Sequence, residues 1–451
     1  MRRDLPLALA AALSGATRRQ YQRATGKAPG RYAGCAAAGS TAAGGSDSAI
    51  HAWRTAGTAV SRAAVNRAAT SGDAAARPAF VLLEDGSWFA GTTSRPIDPA
   101  FGEVVFTTNL TGYQETFTDP SYLGQIVVMT APMIGNYGIN PEDSESEHPQ
   151  ISGVVVRELS RHSSNWRSTQ SLDDWLRAAG IPVIEGVDTR RLTRHLRERG
   201  AMRGVVAEGR EPSRELTAQL LASPSMEGLD LASRATIRGR RSEGTGPHVV
   251  AYDFGMKRNI MRMLVQAGCR VTVVPSTTSA ASVRELKPDG LFLSNGPGDP
   301  AAVGYALDTI RQLSGSGLPT FGICLGHQLV GLAYGGSTAK LPYGHRGENH
   351  PVRDVRTDQV LITTQNHGFA VVGDAAGVPG APALEVTHLN LNDGTIEGIR
   401  HRELPLFAVQ YHPEAAPGPH DALPHFAEFM ASLGGTRAVM PQALDRQGLS
   451  S

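Results

Sequence analysis

FGICLGHQ, at residues 321–328, places one cysteine, Cys324, between Gly322 and Gly326. The apolar residues before the cysteine indicate a buried strand, and the residues after it indicate a helix. A tight turn between a strand and a helix lifts a nucleophilic side chain out of the sheet. Glycine on both sides is favourable because a crowded turn leaves no room for a β-carbon. The stretch therefore predicts an α/β fold in which the Cys324 side chain is accessible to a substrate at the end of one strand.

A second stretch, QYHPE at residues 410–414, follows another apolar run and offers His412 and Glu414 two residues apart. A free cysteine has a pKa of about 8.5, and a helix N-terminus or a nearby imidazolium favours its reactive thiolate. A lone cysteine is most often a small buried hydrophobe. Nucleophile, base and base-orienting group together are what an activated thiol requires. We therefore predict catalytic roles for Cys324, His412 and Glu414 in attack on an amide.

Length and composition limit the alternatives. The chain has 451 residues and should contain two domains, because single cores seldom grow much beyond about 250–300 residues. The formal net charge of +1 indicates no basic bias toward nucleic acid. No run of apolar residues is long enough to predict a membrane span. The three cysteines, Cys35, Cys269 and Cys324, form no Cys-x-x-Cys spacing, which argues against a disulfide framework or a metal site.

The N-terminal segment differs from the rest of the chain. Residues 1–72 carry ten Lys or Arg residues against two Asp residues and are rich in Ala, Gly, Ser and Thr. This composition is typical of an organelle transit peptide. We assign residues 1–77 to a transit peptide or disordered leader. The alternative is an extension with no targeting role, and composition alone does not separate plastid from mitochondrion.

The remaining sequence divides by pattern. Residues 78–208 mix strands and helices without regular alternation, which predicts an α+β domain. A tail and polar linker follow at 209–246. Strict β/α alternation over residues 247–435 predicts a doubly wound, mostly parallel sheet with right-handed crossovers. Residues 436–451 form a C-terminal tail.

Ligands of such sheets bind at the carboxyl ends of the strands, where Gly296-Pro297-Gly298, Cys324 and His412 all fall. An acyl-transfer intermediate carries an oxyanion that needs preorganised N–H donors. The N–H groups of Leu325 and Gly298 are our candidates. An ordinary Gly/Pro turn is the alternative for the loop.

Several stretches together resemble the small, glutaminase subunit of carbamoyl-phosphate synthase, a class I glutamine amidotransferase, over about residues 79–433. They are FGEVVFTTNLTGYQETFTDPSY (101–122), AYDFGMKRNIMRM (251–263), SNGPGDP (294–300), FGICLGHQ (321–328), QNHGFA (365–370) and HPEAAPGPHD (412–421). The resemblance implies Cys324 as nucleophile, His412 as base and Glu414 as its orienting group. It also implies that glutamine is held by Ser121, Gly296, Gly298, Leu325, Gln328, Asn366, Gly368 and Phe369. Tyr411 departs from the bacterial members of the family, where glycine is common before the histidine.

The same resemblance implies what surrounds the chain. Ammonia would pass to a large partner subunit that binds ATP with its metal ions and makes carbamoyl phosphate for arginine and pyrimidine synthesis. This chain would bind L-glutamine but no cofactor, nucleic acid or membrane, in a heterodimer or a higher oligomer. The basic leader would direct it to the plastid (chloroplast) stroma, with the mitochondrion as the alternative. Two rival functions remain: a catalytically silent assembly subunit and a stand-alone γ-glutamyl hydrolase.

Overall fold

A computed structural model describes residues 76–434. Apart from residues 76 and 77, the predicted leader lies outside the described residues, and so does the predicted C-terminal tail. No helix among the described residues is long and apolar enough to cross a membrane.

The first sheet lies in the predicted α+β region. Its part of the chain contains β1 (Arg77–Leu83), β2 (Trp88–Thr93), β3 (Ala100–Thr107), β4 (Gln125–Met129), β5 (Met133–Ile134), β6 (Gly153–Val155), β7 (Glu158–Leu159), β8 (Val183–Ile184) and β9 (Met202–Glu208). Within residues 76–434, seven of these strands join in the order β2-β1-β9-β3-β4-β6-β8, while β5 and β7 pair separately. β3, β4, β6 and β8 are parallel neighbours, and β9 is antiparallel to β1 and β3.

Three α-helices of this region are α1 (Tyr113–Thr118), α2 (Leu172–Ala178) and α3 (Thr189–Arg199). α2 begins where Ser171 Oγ accepts a hydrogen bond from the Asp174 N–H at 3.1 Å. Asp188 Oδ1 accepts similarly from the Arg191 N–H at 2.9 Å and caps α3. In both caps a short side-chain oxygen satisfies an N–H that the first helical turn leaves unpaired.

The predicted tail and polar linker is structured. It contains α4 (Arg214–Ala222), α5 (Ala232–Ala235) and β10 (Arg241–Glu243). Leu220 of α4 packs in a buried cluster with Phe80 and Leu82 of the first sheet. β10 pairs antiparallel with residues 271–273 of the second sheet. These short elements have little apolar periodicity of their own, and neighbouring sheets supply the contacts that order them.

The second sheet is built from β11 (His248–Asp253), β12 (Arg270–Pro275), β13 (Gly290–Leu293), β14 (Thr320–Ile323), β15 (Thr338–Asp354), β16 (Val360–Val371), β17 (Leu384–Asn390), β18 (Ile396–His401) and β19 (Leu406–Val409). Over the described residues, its order is β10-β12-β11-β13-β14-β19-β18-β17-β15-β16. The block β12-β11-β13-β14-β19 is parallel, and antiparallel strands extend it on both sides. Its helices are α6 (Arg258–Gln266), α7 (Ala280–Glu285), α8 (Leu307–Ser314), α9 (Leu325–Ala333) and α10 (Pro424–Ser432).

Alternate residues of the parallel strands enter two different cores. In β11, Val250 and Tyr252 belong to a cluster shared with α7, α8 and α9. Val249 and Ala251 belong to a second cluster, shared with α6 and α10. This alternation follows from the period of two along a strand. The helical segment between β13 and β14 begins as a 3-10 segment, Pro300–Ala306, before α8 continues it.

Strand pairing brings the two predicted catalytic stretches together. β14 and β19 are parallel neighbours, with Ile323 opposite Val409 at their carboxyl ends. The Cys324 N–H extends this pairing by donating to the Val409 carbonyl at 2.8 Å. A β-carbon on Gly326 would meet the Leu293 carbonyl at the end of β13, so the turn passes close to the neighbouring strand only with glycine there. The candidate site therefore forms at the carboxyl edge of the parallel block.

Candidate active site

Cys324 is the residue immediately before α9. Its backbone has φ 53° and ψ −102°, and the residue is almost fully buried. A positive φ costs energy in a residue with a β-carbon, and such strain persists where the surrounding structure imposes it. The Sγ atom lies 3.6 Å from the Asn366 carbonyl oxygen of β16. The thiol thus sits at the start of α9, beside the main chain of β16.

His412 lies three residues after β19 and is held from two sides. Its N–H donates to the Thr364 carbonyl at 2.9 Å, and its Nδ1 lies 2.6 Å from Glu414 Oε1. Nε2 has no hydrogen-bond partner within residues 76–434. Burial lowers the pKa of His412, but Glu414 and the nearby Cys324 side chain outweigh burial and raise the pKa to about 10. The imidazole is therefore oriented by Glu414, favoured as imidazolium and free at Nε2.

Lys257 completes a buried row of charges. Its Nζ lies 3.0 Å from Glu414 Oε1 and donates to the Ala415 carbonyl at 2.7 Å. Burial raises the pKa of Glu414, but Lys257 and His412 outweigh it and hold the pKa at about 2. Burial lowers the pKa of Lys257, and the neighbouring carboxylates of Glu414 and Glu145 reverse this and raise it. Glu414 is thus an ionised carboxylate between two cations.

Side chains from the first sheet's region reach this edge. The Asn366 side-chain amide donates to Asp119 Oδ2 at 2.7 Å. Asn295 Nδ2 lies 2.9 Å from Ser121 Oγ, which belongs to the 3-10 turn Pro120–Tyr122. All four side chains are buried, where a hydrogen bond lost to mutation leaves its partner unsatisfied. The two regions therefore share one polar boundary beside Cys324.

A small cavity opens beside Cys324. It is lined by Glu103, Ser121, Gln125, Met226, Gly296, Pro297, Gly298, Cys324, Gln328, Arg346, Asn366, His367, Gly368 and Phe369. The lining includes seven of the eight residues predicted to hold glutamine. Leu325 is not in the lining and lies next to it, as the buried first residue of α9. Gly298 has φ 91°, and a β-carbon there would meet backbone atoms of Leu229 and Leu231.

Gln328 lies one helical turn after Cys324 and faces the cavity. Its Nε2 donates to the Phe369 carbonyl at 2.7 Å and to Gln410 Oε1 at 3.0 Å. These two bonds use both hydrogens of the amide and fix its orientation. Oε1 of Gln328 is therefore the atom that can accept a hydrogen bond from a ligand.

Sequence reasoning missed several residues of this site. Glu103, Gln125, Met226, Pro297, Arg346 and His367 line the cavity, and Asp119, Lys257 and Asn295 connect it to its surroundings. Lys257 and Asp119 lie in two of the stretches that carry the family resemblance, residues 251–263 and 101–122. No local spacing identified them as partners of Glu414 and Asn366.

Three buried side chains, His345, His367 and Glu397, bring possible metal-ligating atoms within 4.8 Å of one another. Protein groups already occupy these atoms. His367 Nδ1 and Nε2 lie 2.7 Å from Phe369 O and 3.0 Å from Gln365 Oε1. Glu397 accepts from Asn390 and from Gln365, both at 2.8 Å, and His345 Nε2 lies 2.8 Å from Asp393 Oδ2. We interpret the group as a hydrogen-bond network.

Tyr411, the departure from the family pattern, packs into the buried core. Its ring is fully buried in the cluster that contains Phe426 and Phe429. Its hydroxyl lies 2.7 Å from His425 Nε2. The core accommodates the extra bulk, and the neighbouring His412 keeps its contact with Glu414.

Comparison with known proteins agrees with this architecture. Residues 81–206 match the family described as carbamoyl-phosphate synthase small chain, CPSase domain, and residues 250–432 match glutamine amidotransferase class-I. The chain is 55% identical to the carbamoyl phosphate synthase small chain of Chlorobaculum tepidum, over 78% of this chain and 96% of that one. The chain belongs to the carbamoyl-phosphate synthase small-chain family.

Further relatives bear the same name. The small chain of Symbiobacterium thermophilum is 52% identical, over 77% of this chain and 97% of that one. The small chain of a Synechococcus sp. is 50% identical, over 79% of this chain and 93% of that one. The similarity therefore spans both sheets and is not confined to the region around Cys324.

Replacing Lys257 tests the buried row of charges. Lys257→Met leaves Glu414 buried with one cation fewer, and removing one partner of a buried ion pair costs about 3–5 kcal/mol. We expect this loss in the free energy of unfolding at pH 7, measured by urea titration of the full chain. Lys287→Met, which changes an exposed lysine, is the matched control and should have little effect.

The loss should depend on pH. Glu414 has a folded pKa of about 2, below an unfolded value of about 4.3, so its stabilisation is complete above about pH 4.3 and disappears as the pH falls through 2. The difference between Lys257→Met and the parent should shrink over that interval. A difference that stays constant between pH 7 and pH 3 would contradict the ionic role of Lys257.

Proposed function

We propose that this chain hydrolyses the side-chain amide of L-glutamine as the glutaminase subunit of carbamoyl-phosphate synthase. One observation carries the proposal: a buried thiol at a strained turn, beside a histidine that a carboxylate orients, faces a small polar cavity. Family membership supports the assignment of the whole chain.

The first half-reaction forms a thioester. His412, whose pKa is raised to about 10, is an imidazolium at neutral pH and stabilises the Cys324 thiolate. The thiolate attacks the amide carbon of glutamine, and the carbonyl oxygen becomes an oxyanion. The N–H groups of Leu325 and Gly298 are the proposed donors to that oxygen. His412 Nε2 then gives its proton to the leaving nitrogen, so ammonia departs and a γ-glutamyl thioester remains.

The second half-reaction regenerates the thiolate. Having lost its proton to ammonia, neutral His412 accepts one from water at Nε2. The resulting hydroxide attacks the thioester carbon, the C–S bond breaks, and glutamate leaves. Glu414 accepts the Nδ1–H bond throughout and keeps the imidazole in the orientation that both steps require.

Glutamine is held by the predicted set of residues. Gln328 accepts from the α-ammonium group through its free Oε1, because the protein already uses both of its amide hydrogens. Ser121 lies at the boundary between the two regions, and Asn366 is fixed by Asp119. The main chain of Gly296, Gly298, Gly368 and Phe369 supplies further contacts at the cavity wall.

The ammonia passes to a large partner subunit, where ATP and its metal ions activate bicarbonate. Carbamoyl phosphate made there serves arginine and pyrimidine synthesis, and the two chains form a heterodimer or a higher oligomer. The two cores that share the parallel block support a doubly wound arrangement of its helices. The orientation of His412 by Glu414 favours this function over a silent assembly subunit. The match of residues 81–206 to the small-chain family favours it over a stand-alone hydrolase.

The nucleophile can be tested in the complex with the large subunit. Cys324→Ser should abolish carbamoyl phosphate synthesis from glutamine and leave synthesis from ammonia intact, because only amide cleavage uses the thiol. Cys269→Ala, at the other described cysteine, controls for the loss of a thiol. Parental synthesis from glutamine in Cys324→Ser would refute the assignment. Glutamate release from the parent chain that never requires a large subunit and never feeds synthesis would favour the stand-alone hydrolase.

Substrate recognition provides a separate test. Gln328→Ala should lower kcat/KM for glutamine roughly 5- to 150-fold, since losing a buried hydrogen-bond partner costs about 1–3 kcal/mol. Ser121→Ala should show a smaller loss, and Gln312→Ala, an exposed position on α8, should show none. Synthesis from ammonia should hardly change in all three variants. Equal losses with glutamine and with ammonia would mean that Gln328 and Ser121 maintain the subunit interface.

We also propose that the N-terminal leader directs the chain to the plastid stroma. The excess of Lys and Arg over acidic residues in residues 1–72 supports import into an organelle. A fluorescent protein carrying residues 1–77 should accumulate in plastids when expressed in plastid-bearing cells. Accumulation in mitochondria would select the alternative, and a diffuse signal would identify the segment as an extension without a targeting role.

A further inference from the structure

We propose that Arg346 binds the α-carboxylate of glutamine and sets the requirement for a free amino acid, an inference that rests on the proposed glutaminase function. Arg346 lies on β15, paired in register with Asn366 of β16. Its side chain lines the cavity beside Cys324, and only 3% of the residue is exposed. A buried cation is thus part of the wall that a zwitterionic substrate would meet.

The guanidinium of Arg346 has few protein partners for a buried group with five N–H donors. NH1 donates to the Tyr343 carbonyl at 2.8 Å, and Nε has no hydrogen-bond partner among residues 76–434. No carboxylate of the described chain lies within 4.0 Å of this guanidinium. Buried charges are normally paired, because transferring a charged group out of water costs free energy unless a partner of opposite charge compensates for the lost hydration. A ligand carboxylate would supply the compensation.

Two glycines let the guanidinium reach the cavity wall. A β-carbon on Gly368 would lie 3.3 Å from Arg346 NH2, and one on Gly344 would collide with NH1. Gly368 is itself in the cavity lining. The planar guanidinium therefore has access to the cavity that larger residues at these positions would block. Its fork geometry matches a carboxylate, which it can bind through two parallel hydrogen bonds.

Besides Arg346 and the proposed Cys324 thiolate, which pairs with the His412 imidazolium, the charged residue of the lining is Glu103, and it is already compensated. Lys340 Nζ lies 2.6 Å from its Oε1, and Gln125 Nε2 donates to its Oε2 at 3.2 Å. The unbalanced charge of the lining is therefore the positive one on Arg346. Burial lowers the pKa of Arg346, but an arginine remains charged at neutral pH. With Gln328 Oε1 available for the ammonium group, the cavity can distinguish the two charges of the α-amino acid.

The test compares two amides in the complex with the large subunit. L-Glutamine carries the α-carboxylate, whereas 4-aminobutanamide has the same amide and an ammonium group but no carboxylate. Arg346→Met should lower kcat/KM for glutamine about 10- to 150-fold, the factor equivalent to one hydrogen bond between charged groups. The value for 4-aminobutanamide should hardly change. Arg346→Lys, which keeps the charge but loses the fork, should fall between the parent and Arg346→Met with glutamine.

The controls separate recognition from structure. Arg353→Met changes an arginine of the same strand that lies outside the cavity lining, and it should leave kcat/KM for both amides unchanged. Synthesis from ammonia should stay at the parental level in every variant. Equal losses with both amides in Arg346→Met and in Arg346→Lys would overturn the proposal and assign Arg346 to the packing of the cavity.

If Arg346→Met does not fold, the comparison of the two amides is made with Arg346→Lys and with the parent. The parent should already have a much higher kcat/KM for glutamine than for 4-aminobutanamide. Absence of that preference in the parent would also overturn the proposal. A parent that fails to hydrolyse glutamine at all would instead refute the proposed function.

Discussion

The buried contact between Glu414 and its two cations determines the arrangement of the site. Glu414 Oε1 lies 2.6 Å from His412 Nδ1 and 3.0 Å from Lys257 Nζ, and all three residues are almost fully buried. An isolated carboxylate at this depth would be protonated, because burial disfavours its charge. The two cations keep it ionised, and the ionised carboxylate in turn raises the pKa of His412. The charge state of the proposed base therefore depends on a lysine that need not touch the substrate.

The same contacts join the two regions of the described chain. The Lys257 N–H donates to Asn295 Oδ1 at 3.1 Å, and Asn295 donates to Ser121 Oγ. Glu145, from the first sheet's region, accepts from the Asn259 N–H at 2.9 Å, and Asn259 donates to the Glu414 carbonyl. A displacement of one region relative to the other would therefore disturb the orientation of Glu414 and the wall of the cavity together. This coupling gives a physical reason why a glutaminase site would be built against a second domain.

Sequence patterns identified the parts of the site that depend on neighbours along the chain. The turn at Cys324 is local, and it followed from residue types at fixed spacing. The alternation of strands and helices predicted a parallel sheet whose strand ends meet at one edge, which brings Cys324 near His412. Their catalytic and binding roles stay predictions until the variants are assayed.

The remaining features depend on contacts between distant segments, which no single sequence pattern encodes. Lys257 and Glu414 belong to segments on opposite sides of the Cys324 turn, and Arg346 enters the cavity through the register of β15 with β16. The polar composition of residues 209–246 led to their prediction as a tail and linker. It gave no indication that α4 packs against the first sheet and that β10 pairs with the second. The 3-10 start of the helix before α8 likewise gave no separate signal in the sequence.

The proposed mechanism requires a covalent γ-glutamyl thioester on Cys324, and this species can be trapped. The complex is mixed with isotopically labelled glutamine, quenched in acid within a turnover and digested, and the peptides are analysed by mass spectrometry. We expect one γ-glutamyl group on the peptide that contains Cys324 and none on the peptide that contains Cys269. Turnover without any adduct on Cys324 under conditions that preserve thioesters, or an adduct on another residue, would contradict the mechanism.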